Sequence, residues 1–518
     1  MPIRIKKDSG GYNQERRIPS SSAGTGGGRG LGSALIPILF GLFRRYPKLT
    51  IFLILAGIGI YFFMSRNNRT TTDNTALQSL LKGTGLLMDE KVYDSAEVYE
   101  PLADNVNNPL PERVTLEEFC PERLNQGNQG SCVGWSSAYA ARTILHAKAA
   151  GENPDDVTFS PSYVYNQIAL PDCQGTYLQR AMEVMHEGGA LPFSRFAYNE
   201  NSCSKKPSVS ELKEASTYKT KGFNRLTKSG DDYKTDLLAI KQNVAQGAPV
   251  VIGMMAGGSF MSEMTGENIW IPNEMDYLMQ GFGGHAMCVI GYDDYLQGGA
   301  FQIMNSWGEE WGNRGLAWIR YNDFEYFVKE AYGLYPMGDA KEVVTTRLDV
   351  EIGLVINETG VNIPFNYSSG ILFKTAKNLS PNTDFKVAIT NSIECYAYIF
   401  GEETDGSSYV LFPYTKKHSP YCGITGMRLF PKDYSLYPDE KGASDYLTII
   451  ISKQKLDFYK LNNAINQAVG NTYEEKVNNT LRDELVNDIR YTGGSTIKFS
   501  THSQVKNTIA LVLEINKS

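Results

Sequence analysis

Cys132 stands where a glycine-rich stretch, residues 125–130, gives way to a run of small residues that predicts a helix. A thiol in the first turn of a helix faces unpaired backbone N–H groups and the positive end of the helix dipole, and both stabilise a thiolate. A lone cysteine is more often an inert buried residue. Cys132 is therefore a candidate nucleophile only if suitable partners occur elsewhere in the chain.

His285 and Asn305 are the candidate partners. His285 directly precedes a predicted strand at 286–290, and glycines immediately before it, including Gly284, leave a face open to a ligand. Asn305 opens the string Asn-Ser-Trp-Gly twenty residues later. An asparagine can fix the tautomer of an imidazole, and the nearby Trp307 can shield that hydrogen bond from water. Cysteine, histidine and asparagine in these roles form the thiol version of the acyl-transfer triad.

With these motifs the sequence resembles the papain-like cysteine peptidases, the papain and cathepsin family, over roughly residues 111–337. That family carries an oxyanion-hole glutamine six positions before its nucleophile, and Gln126 holds this position here. The Trp-Gly and the further glycine that follow the family's asparagine also match, at 311–312 and 315. The resemblance implies four catalytic residues, which are Cys132, His285, Asn305 and Gln126. The substrate-binding residues assigned with them are Gly175, Gly284, Ala286 and Trp307.

Several positions depart from the family's pattern. A tryptophan usually follows the nucleophile directly, whereas here Trp135 comes two positions later. Gln129 stands where the family has a disulfide-forming cysteine, and the substrate-binding Gly-Gly pair is reduced to Gly175-Thr176. These variants are similar to the bacterial branch and put subsite specificity in doubt rather than the reaction. The family's pro-segment of about 100 residues is missing, so activity is restrained in another way or not at all.

The resemblance implies an α+β fold with two lobes, one helical and one barrel-like, and we place this peptidase domain at 109–338. The local sequence pattern agrees with it. Small residues predict a helix at 133–150, and apolar runs predict strands at 249–253, 286–290 and 300–304.

The pattern of apolar residues changes after about residue 343. Short β-branched and aromatic runs at 348–356, 384–390, 396–400, 409–412, 446–451 and 509–515 predict a mainly-β sandwich at 345–518. Helical spacing at 459–489 predicts one or two helices within it. The runs at 395–400, 409–413 and 446–452 resemble an uncharacterised β-sandwich domain appended to bacterial peptidases. That resemblance implies a binding or positioning role and leaves a protein partner open.

Seven cysteines in 518 residues are too few for a disulfide scaffold. The resemblance implies a bridge between Cys173 and Cys203. Cys395 and Cys422 flank a predicted hairpin and form a second candidate pair. Either bridge would need an oxidising compartment. The adjacent carboxylates at 293 and 294 are more typical of a solvated turn than of a cation site, so neither a metal nor a cofactor is predicted.

The N-terminal region predicts a membrane anchor. Residues 1–48 carry nine Lys/Arg and two Asp/Glu, a net charge of +7. Because the whole chain has a net charge of −7, the remaining 470 residues have a net charge of −14. We expect a disordered basic segment at 1–33, an interfacial stretch at 34–48, a single transmembrane helix at 49–64 and a linker at 65–108. The excess of basic residues before the span predicts a cytoplasmic N-terminus with the catalytic domain outside.

Together these features predict a membrane-anchored cysteine peptidase in a bacterial inner membrane, facing the periplasm. Its partners would be peptide or protein substrates and the lipid bilayer at 49–64. The acidic net charge argues against nucleic acid. Two alternatives stay open from the sequence. One is a transpeptidase or amidase that uses the same thioester, and the other is a catalytically silent peptide-binding module.

Overall fold

The computed structural model describes residues 3–7, 84–103, 109–228, 234–337, 347–486, 489–503 and 506–518. The predicted interfacial stretch at 34–48 and the predicted span at 49–64 lie outside these ranges. Among the residues that are described, no helix has the length and apolar character needed to cross a membrane.

Residues 84–103, called the strap below, were expected to belong to a polar linker. That expectation is wrong for them, because the strap packs against the rest of the protein. Its buried side chains are Leu86, Tyr93, Val98, Tyr99 and Leu102. The strap contains one short helix, α1 (Glu90–Asp94), whose N-cap carboxylate on Asp89 accepts from the backbone N–H groups of residues 91 and 92.

The predicted helix at 133–150 is confirmed and begins one residue earlier. It runs through α2 (Cys132–Gly134), a wider π-helical segment (Trp135–Arg142) and α3 (Thr143–Ala150). Its small residues allow a close approach to neighbouring elements. The other helices described in this part are α4 (Pro161–Ile168), α5 (Leu178–Glu183, continued by a π-turn at Val184–Gly188), α6 (Val209–Ala215), α7 (Leu237–Ala245), α8 (Gly258–Ser262) and α9 (Tyr321–Phe327).

The second lobe of this part is a mostly antiparallel sheet. Among the described residues it has eight strands in the order β3-β9-β4-β6-β7-β8-β5, with β2 against β6. The predicted two-lobe α+β arrangement is therefore confirmed. The strands are, besides β1 (Ile3–Lys7) at the N-terminus, β2 (Arg113–Thr115), β3 (Thr220–Arg225), β4 (Val250–Ala256), β5 (Ile269–Trp270), β6 (Gly283–Asp293), β7 (Ala300–Met304), β8 (Leu316–Arg320) and β9 (Val328–Met337).

The C-terminal region is rich in β-structure, as predicted. In the described part of 347–518 the strands are β10 (Leu348–Ile356), β11 (Phe365–Ser369), β12 (Leu372–Thr375), β13 (Phe385–Asn391), β14 (Cys395–Glu402), β15 (Ser408–Phe412), β16 (Tyr421–Cys422), β17 (Gly426–Phe430), β18 (Tyr434–Pro438), β19 (Ser444–Ser452), β20 (Arg490–Thr492), β21 (Ile497–Thr501) and β22 (Thr508–Asn516). With β1 they form two seven-stranded sheets, one centred on β13 and β10, the other on β22 and β19.

The two sheets share one apolar core, and we call this region the sandwich. Strand β19 is buried on both of its faces. Ile449 and Ile451 point into the core between the sheets, whereas Ile450 lies under the helices on the outer face. Because successive side chains of a strand alternate between faces, a strand buried on both sides carries an unbroken apolar run. The covering helices are α10 (Phe458–Gln467) and α11 (Tyr473–Leu481), where helical spacing predicted them.

The cysteine predictions have different outcomes. Cys173 and Cys203 form the expected disulfide. Cys395 and Cys422 face each other in the β14–β16 register, so the predicted hairpin proximity is right, but both are free thiols. The second bridge is therefore a wrong prediction, because strand pairing sets the separation of two cysteines while side-chain rotamers decide whether the sulfurs meet in disulfide geometry.

The N-terminal strand β1 pairs antiparallel with β18 of the sandwich, and Ile3 is buried in the sandwich core. The expected disorder at 1–33 is therefore wrong for residues 3–7. Isoleucines that alternate with basic residues give this strand one apolar face. The pairing also constrains topology. A single membrane span between β1 and the strap would separate β1 from the sandwich, so that span and this pairing exclude each other within one molecule.

Replacing Gly134 by alanine should destabilise the part of the fold that contains α2 and α4. A Cβ at Gly134 would lie 2.5 Å from the carbonyl oxygen of Pro161, a backbone atom that cannot rotate away. We expect the free energy of unfolding to fall by about 1–3 kcal/mol in denaturant titrations, as overpacked sites do. Gly188→Ala is the matched control, because a Cβ there meets no atom within 4 Å. Equal stability of the two variants would contradict the close helix contact.

Candidate active site

Cys132 is the first residue of α2 and is fully buried. Burial is the dominant influence on its thiol and raises the thiol pKa to about 12. The nearby backbone of Ala286, Val133, Cys132 itself and the strap residue Leu86 acts in the opposite direction and lowers the thiol pKa. The sequence predicted that the helix start stabilises a thiolate; in this structure burial outweighs that effect and favours the neutral thiol.

His285 lies near the start of β6 and is also fully buried. Its Nε2 forms a hydrogen bond of 2.7 Å with Oδ1 of Asn305, as the sequence predicted. Among the described residues Nδ1 has no hydrogen-bond partner. Burial lowers the imidazole pKa to about 4, and the bond to Asn305 only partly offsets this. The ring of Trp307 stacks on the imidazole with centroids 4.3 Å apart, which keeps water from the hydrogen bond.

Gln126 is hydrogen-bonded to the loop that contains Asn305 and Trp307. Its Oε1 accepts the hydroxyl of Ser306 at 2.6 Å, and its Nε2 donates to the carbonyl of Gln129 at 2.8 Å. The two partners fix the orientation of the amide, because the hydroxyl can donate whereas the carbonyl can only accept. One of the two amide hydrogens is left over. The sequence did not predict the roles of Ser306 and Gln129, although both lie within the motifs that it singled out.

The strap occupies the cleft beside these residues. The backbone N–H of Leu86 donates to the carbonyl of Gly284 at 3.0 Å. On the other wall, the N–H of Leu87 donates to the carbonyl of Thr176, and the N–H of Thr176 donates to the carbonyl of Gly85, both at 2.9 Å. The strap therefore binds both walls through its main chain, as an added strand does.

Three glycines make this approach possible. A Cβ at Gly175 would lie 2.1 Å from the carbonyl oxygen of Gly85, and a Cβ at Gly284 would lie 2.2 Å from that of Leu86. Gly85 itself faces the carbonyl of Gly130 at an equally short distance. The predicted substrate-binding positions Gly175 and Gly284 thus line the cleft, where they contact strap backbone.

The side chain of Leu86 fills a small recess next to the catalytic residues. The atoms nearest to the missing Cβ of Gly253 belong to Leu86, Glu330 and Leu178, which places all three around one point. Glu330 is 5% exposed, and burial raises the pKa of its carboxyl to about 8, with a further contribution from Asp89. The recess joins an apolar wall to a buried carboxyl. No sequence motif predicted it.

Each of the adjacent carboxylates at the end of β6 pairs with a basic side chain. Asp293 pairs with Arg113 at 3.4 Å, and Asp294 pairs with Lys241 at 2.7 Å. Across the ranges that the structure describes, no group of three or more His, Cys, Asp and Glu residues is placed to hold a metal ion.

Part of the chain is similar to known cysteine proteases. The model of the papain family cysteine protease matches residues 113–335. An uncharacterised peptidase C1-like protein of Acanthamoeba polyphaga mimivirus is 26% identical over 267 residues, which is 50% of this chain and 81% of that protein. Cathepsin K of Mus musculus is 24% identical over 276 residues, 52% of this chain and 76% of that protein. Among solved structures, the cysteine protease xylellain of Xylella fastidiosa aligns with a TM-score of 0.40 at 22% identity, covering 50% of this chain and 97% of that one.

Acidification should destabilise the closed form through His285. Its pKa is about 4 when folded and 6.5 when exposed, so the unfolded chain binds the extra proton between these values. The stability that depends on neutral His285 is therefore complete above pH 6.5 and is lost as the pH falls toward 4. The difference is about 3 kcal/mol at most.

Denaturant titrations of the wild type and His285→Gln between pH 7 and 4 measure this contribution. Other carboxylates titrate in the same range, so the informative quantity is the difference between the two slopes. Parallel curves would show that His285 is not buried in its neutral form.

Proposed function

Residues 113–335 form a papain-family cysteine protease domain, and we propose that this domain hydrolyses peptide bonds through Cys132, His285, Asn305 and Gln126. The observation that carries the proposal is the convergence of these distant residues on one buried site. The backbone of Ala286, next to His285, lies close enough to the thiol of Cys132 to lower its pKa. Ser306, next to Asn305, bonds to Gln126.

In the proposed reaction the free Nδ1 of His285 takes the thiol proton of Cys132, and the sulfur attacks the carbonyl carbon of the substrate. The remaining amide hydrogen of Gln126 and the backbone N–H of Cys132 hold the oxyanion. The protonated imidazole then gives its proton to the leaving amine, which leaves a thioester. His285 next deprotonates a water molecule that attacks the thioester, and the acid product departs as the thiol is restored.

Asn305 acts on the base and not on the substrate. Its Oδ1 accepts from Nε2–H of His285, which fixes the tautomer whose Nδ1 is free to accept the proton. Its Oδ1 also accepts the backbone N–H of Ser306 at 2.8 Å, so the amide is held from two sides. Gly175, Gly284 and Ala286 are proposed to bind substrate backbone once the strap leaves. Trp307 covers one face of the imidazole of His285.

We further propose that this form is latent, because the strap takes the space of the substrate. Beside Cys132 the N–H of Leu86 is engaged by the carbonyl of Gly284, at 3.0 Å. The main-chain bonds to Gly284 and Thr176 are the ones that an extended substrate would use, so strap and substrate compete.

For location, we propose attachment to a membrane through the apolar stretches at 34–43 and 49–64. Because β1 pairs with β18, we place β1 and the catalytic domain on the same side. The Cys173–Cys203 bridge favours the oxidising periplasmic side of a bacterial inner membrane. Protease added to sealed vesicles should cut residues 8–33 and the catalytic domain together or spare both. Cleavage of only one of them would show that they lie on opposite sides of the membrane, as the single-span arrangement requires.

In protein whose strap has been displaced from the cleft, Cys132→Ala should abolish peptide hydrolysis, with a loss on the order of 10⁶-fold in kcat, because no other group forms the thioester. Gln126→Ala removes one oxyanion donor and should cost roughly 10²–10³-fold in kcat. The matched control is Cys288→Ala, which removes a buried thiol from the same strand as His285. Cleavage of a peptide library with and without an added amine acceptor measures hydrolysis and acyl transfer together. Full turnover by Cys132→Ala would contradict the assignment of the nucleophile.

Gly85→Val should release the strap from the cleft, because its Cβ would lie 2.1 Å from the backbone of Gly130. We expect the rate of iodoacetamide reaction at Cys132 to rise at least tenfold at neutral pH, since water then reaches the thiol and its pKa falls. Lys91→Val, at an exposed strap position, is the control for added bulk. Mass spectrometry of the Cys132 peptide gives the rate. An unchanged rate in Gly85→Val would show that the strap does not protect the thiol.

A further inference from the structure

The second half of the strap lies between the catalytic sheet and the sandwich. Val98 is bridged in parallel to Arg225 at the end of β3 on one side and to His418 of the sandwich on the other. Its N–H donates to the carbonyl of Lys417 at 2.6 Å, and its carbonyl accepts the N–H of Ser419 at 2.9 Å. The strap is thus joined to the sandwich by the same kind of main-chain pairing that holds its first half in the cleft.

The opposite edge of the strap is bound to the catalytic domain. The N–H of Tyr99 donates to the carbonyl of Arg225 at 3.1 Å, and the N–H of Arg225 donates to the carbonyl of Glu97 at 3.0 Å. An extended segment with hydrogen bonds on both edges behaves as an inner strand. Removing the sandwich side would leave one edge of the strap unpaired.

Arg428 of β17 ties the sandwich core to the strap. The guanidinium is fully buried, and its Nε donates to the carbonyl of Glu100 at 3.1 Å. Its two other nitrogens donate to Asn391 and Ile424 within the sandwich, both at 2.9 Å. One residue earlier, the carbonyl of Met427 accepts the N–H of Ala103 at 2.8 Å. Loss of the strap would leave a buried charged donor without one of its acceptors, which is costly.

Charged side chains complete the contact. Glu97 accepts from Nζ of Lys455 at 2.6 Å and from the hydroxyl of Ser419 at 3.1 Å. Asp94 pairs with Lys417 of the sandwich and, at 3.0 Å, with the buried Arg225 of the catalytic sheet. The acidic groups belong to the strap and the lysines to the sandwich. The charges of the two surfaces are therefore complementary.

We propose that the sandwich is a built-in inhibitory clamp, which binds residues 94–103 and thereby keeps residues 84–88 in the catalytic cleft. This inference rests on the proposed function of the site. It assigns to the sandwich a partner within its own chain, the strap. Because the two halves of the strap are continuous, occupation of the cleft and binding to the sandwich are coupled. A factor that loosens the sandwich surface around Ser419, Met427 and Lys455 raises access to Cys132 by the same coupling free energy.

Reversing a charge on the sandwich surface that contacts the strap tests the proposal without changing a residue near Cys132. Lys455→Glu in the full chain places a carboxylate against Glu97, and the iodoacetamide reaction at Cys132 should become about three- to tenfold faster. Lys498→Glu is the matched control, because that exposed lysine pairs at 3.3 Å with Glu351 inside the sandwich. The swap Lys455→Glu with Glu97→Lys restores the ion pair and should return the rate to the wild-type value.

Arg428→Met gives a second, stronger perturbation, and the labelling of Cys288 reports its folding. Cys288 is a buried thiol of the catalytic sheet, so it reacts only when that domain unfolds. Faster labelling of Cys132 with Cys288 still protected supports the clamp. If Gly85→Val exposes Cys132 but neither Lys455→Glu nor Arg428→Met does, the clamp is wrong. If Cys132 becomes reactive in these variants but none cleaves peptides, the proposed peptidase function fails and the clamp stands.

Discussion

The antiparallel register of β6 and β7 is the constraint on which the site depends. Cys288 lies opposite Met304 in this pair, so His285 near the start of β6 and Asn305 directly after β7 meet at one end of the sheet. A slip of one residue would turn the side chain of His285 to the other face of the sheet. Pairing of β6 with β4 on its other edge, and the apolar run of residues 286–290, hold this register.

Burial of Cys132 and His285 also determines whether these two side chains are charged or neutral. In the closed form the thiol of Cys132 has a raised pKa and the imidazole of His285 a lowered one, so the neutral pair is favoured over the ion pair. The first half of the strap contributes to this, because it fills the cleft from which water would solvate the charges. Occlusion by the strap is thus electrostatic as well as steric. The backbone of Ala286, Val133 and Cys132, which is not part of the strap, acts against this and lowers the thiol pKa.

The sandwich and the catalytic domain contact each other directly, besides their shared contact with the strap. Lys221 of β3 pairs with Glu394 beside β14, and the rings of Tyr335 and Tyr421 lie edge to face with centroids 5.0 Å apart. These contacts give the strap two fixed walls instead of one.

The sequence by itself determined the family and most of the elements. Cys132, His285, Asn305 and Gln126 could be singled out from it because each proposed reaction role requires a particular side chain, and the motifs place them at recognisable spacings. The strands of the eight-stranded sheet and of the sandwich follow from apolar and β-branched runs, and Cys173–Cys203 followed from the resemblance. These features are encoded by residue type within a short window or a family pattern.

Only the tertiary structure decided what the strap and β1 do. The strap has no periodic apolar pattern, and its order comes from main-chain bonds to Gly284, Thr176 and Lys417, which lie about 90 to 320 residues away in the chain. Main-chain donors and acceptors are the same in every residue, so the sequence does not record which of them will pair. The pKa values of Cys132 and His285 were likewise undecided, because they depend on burial by the strap. Local sequence specifies side-chain chemistry, whereas burial and main-chain partners arise only when distant segments meet.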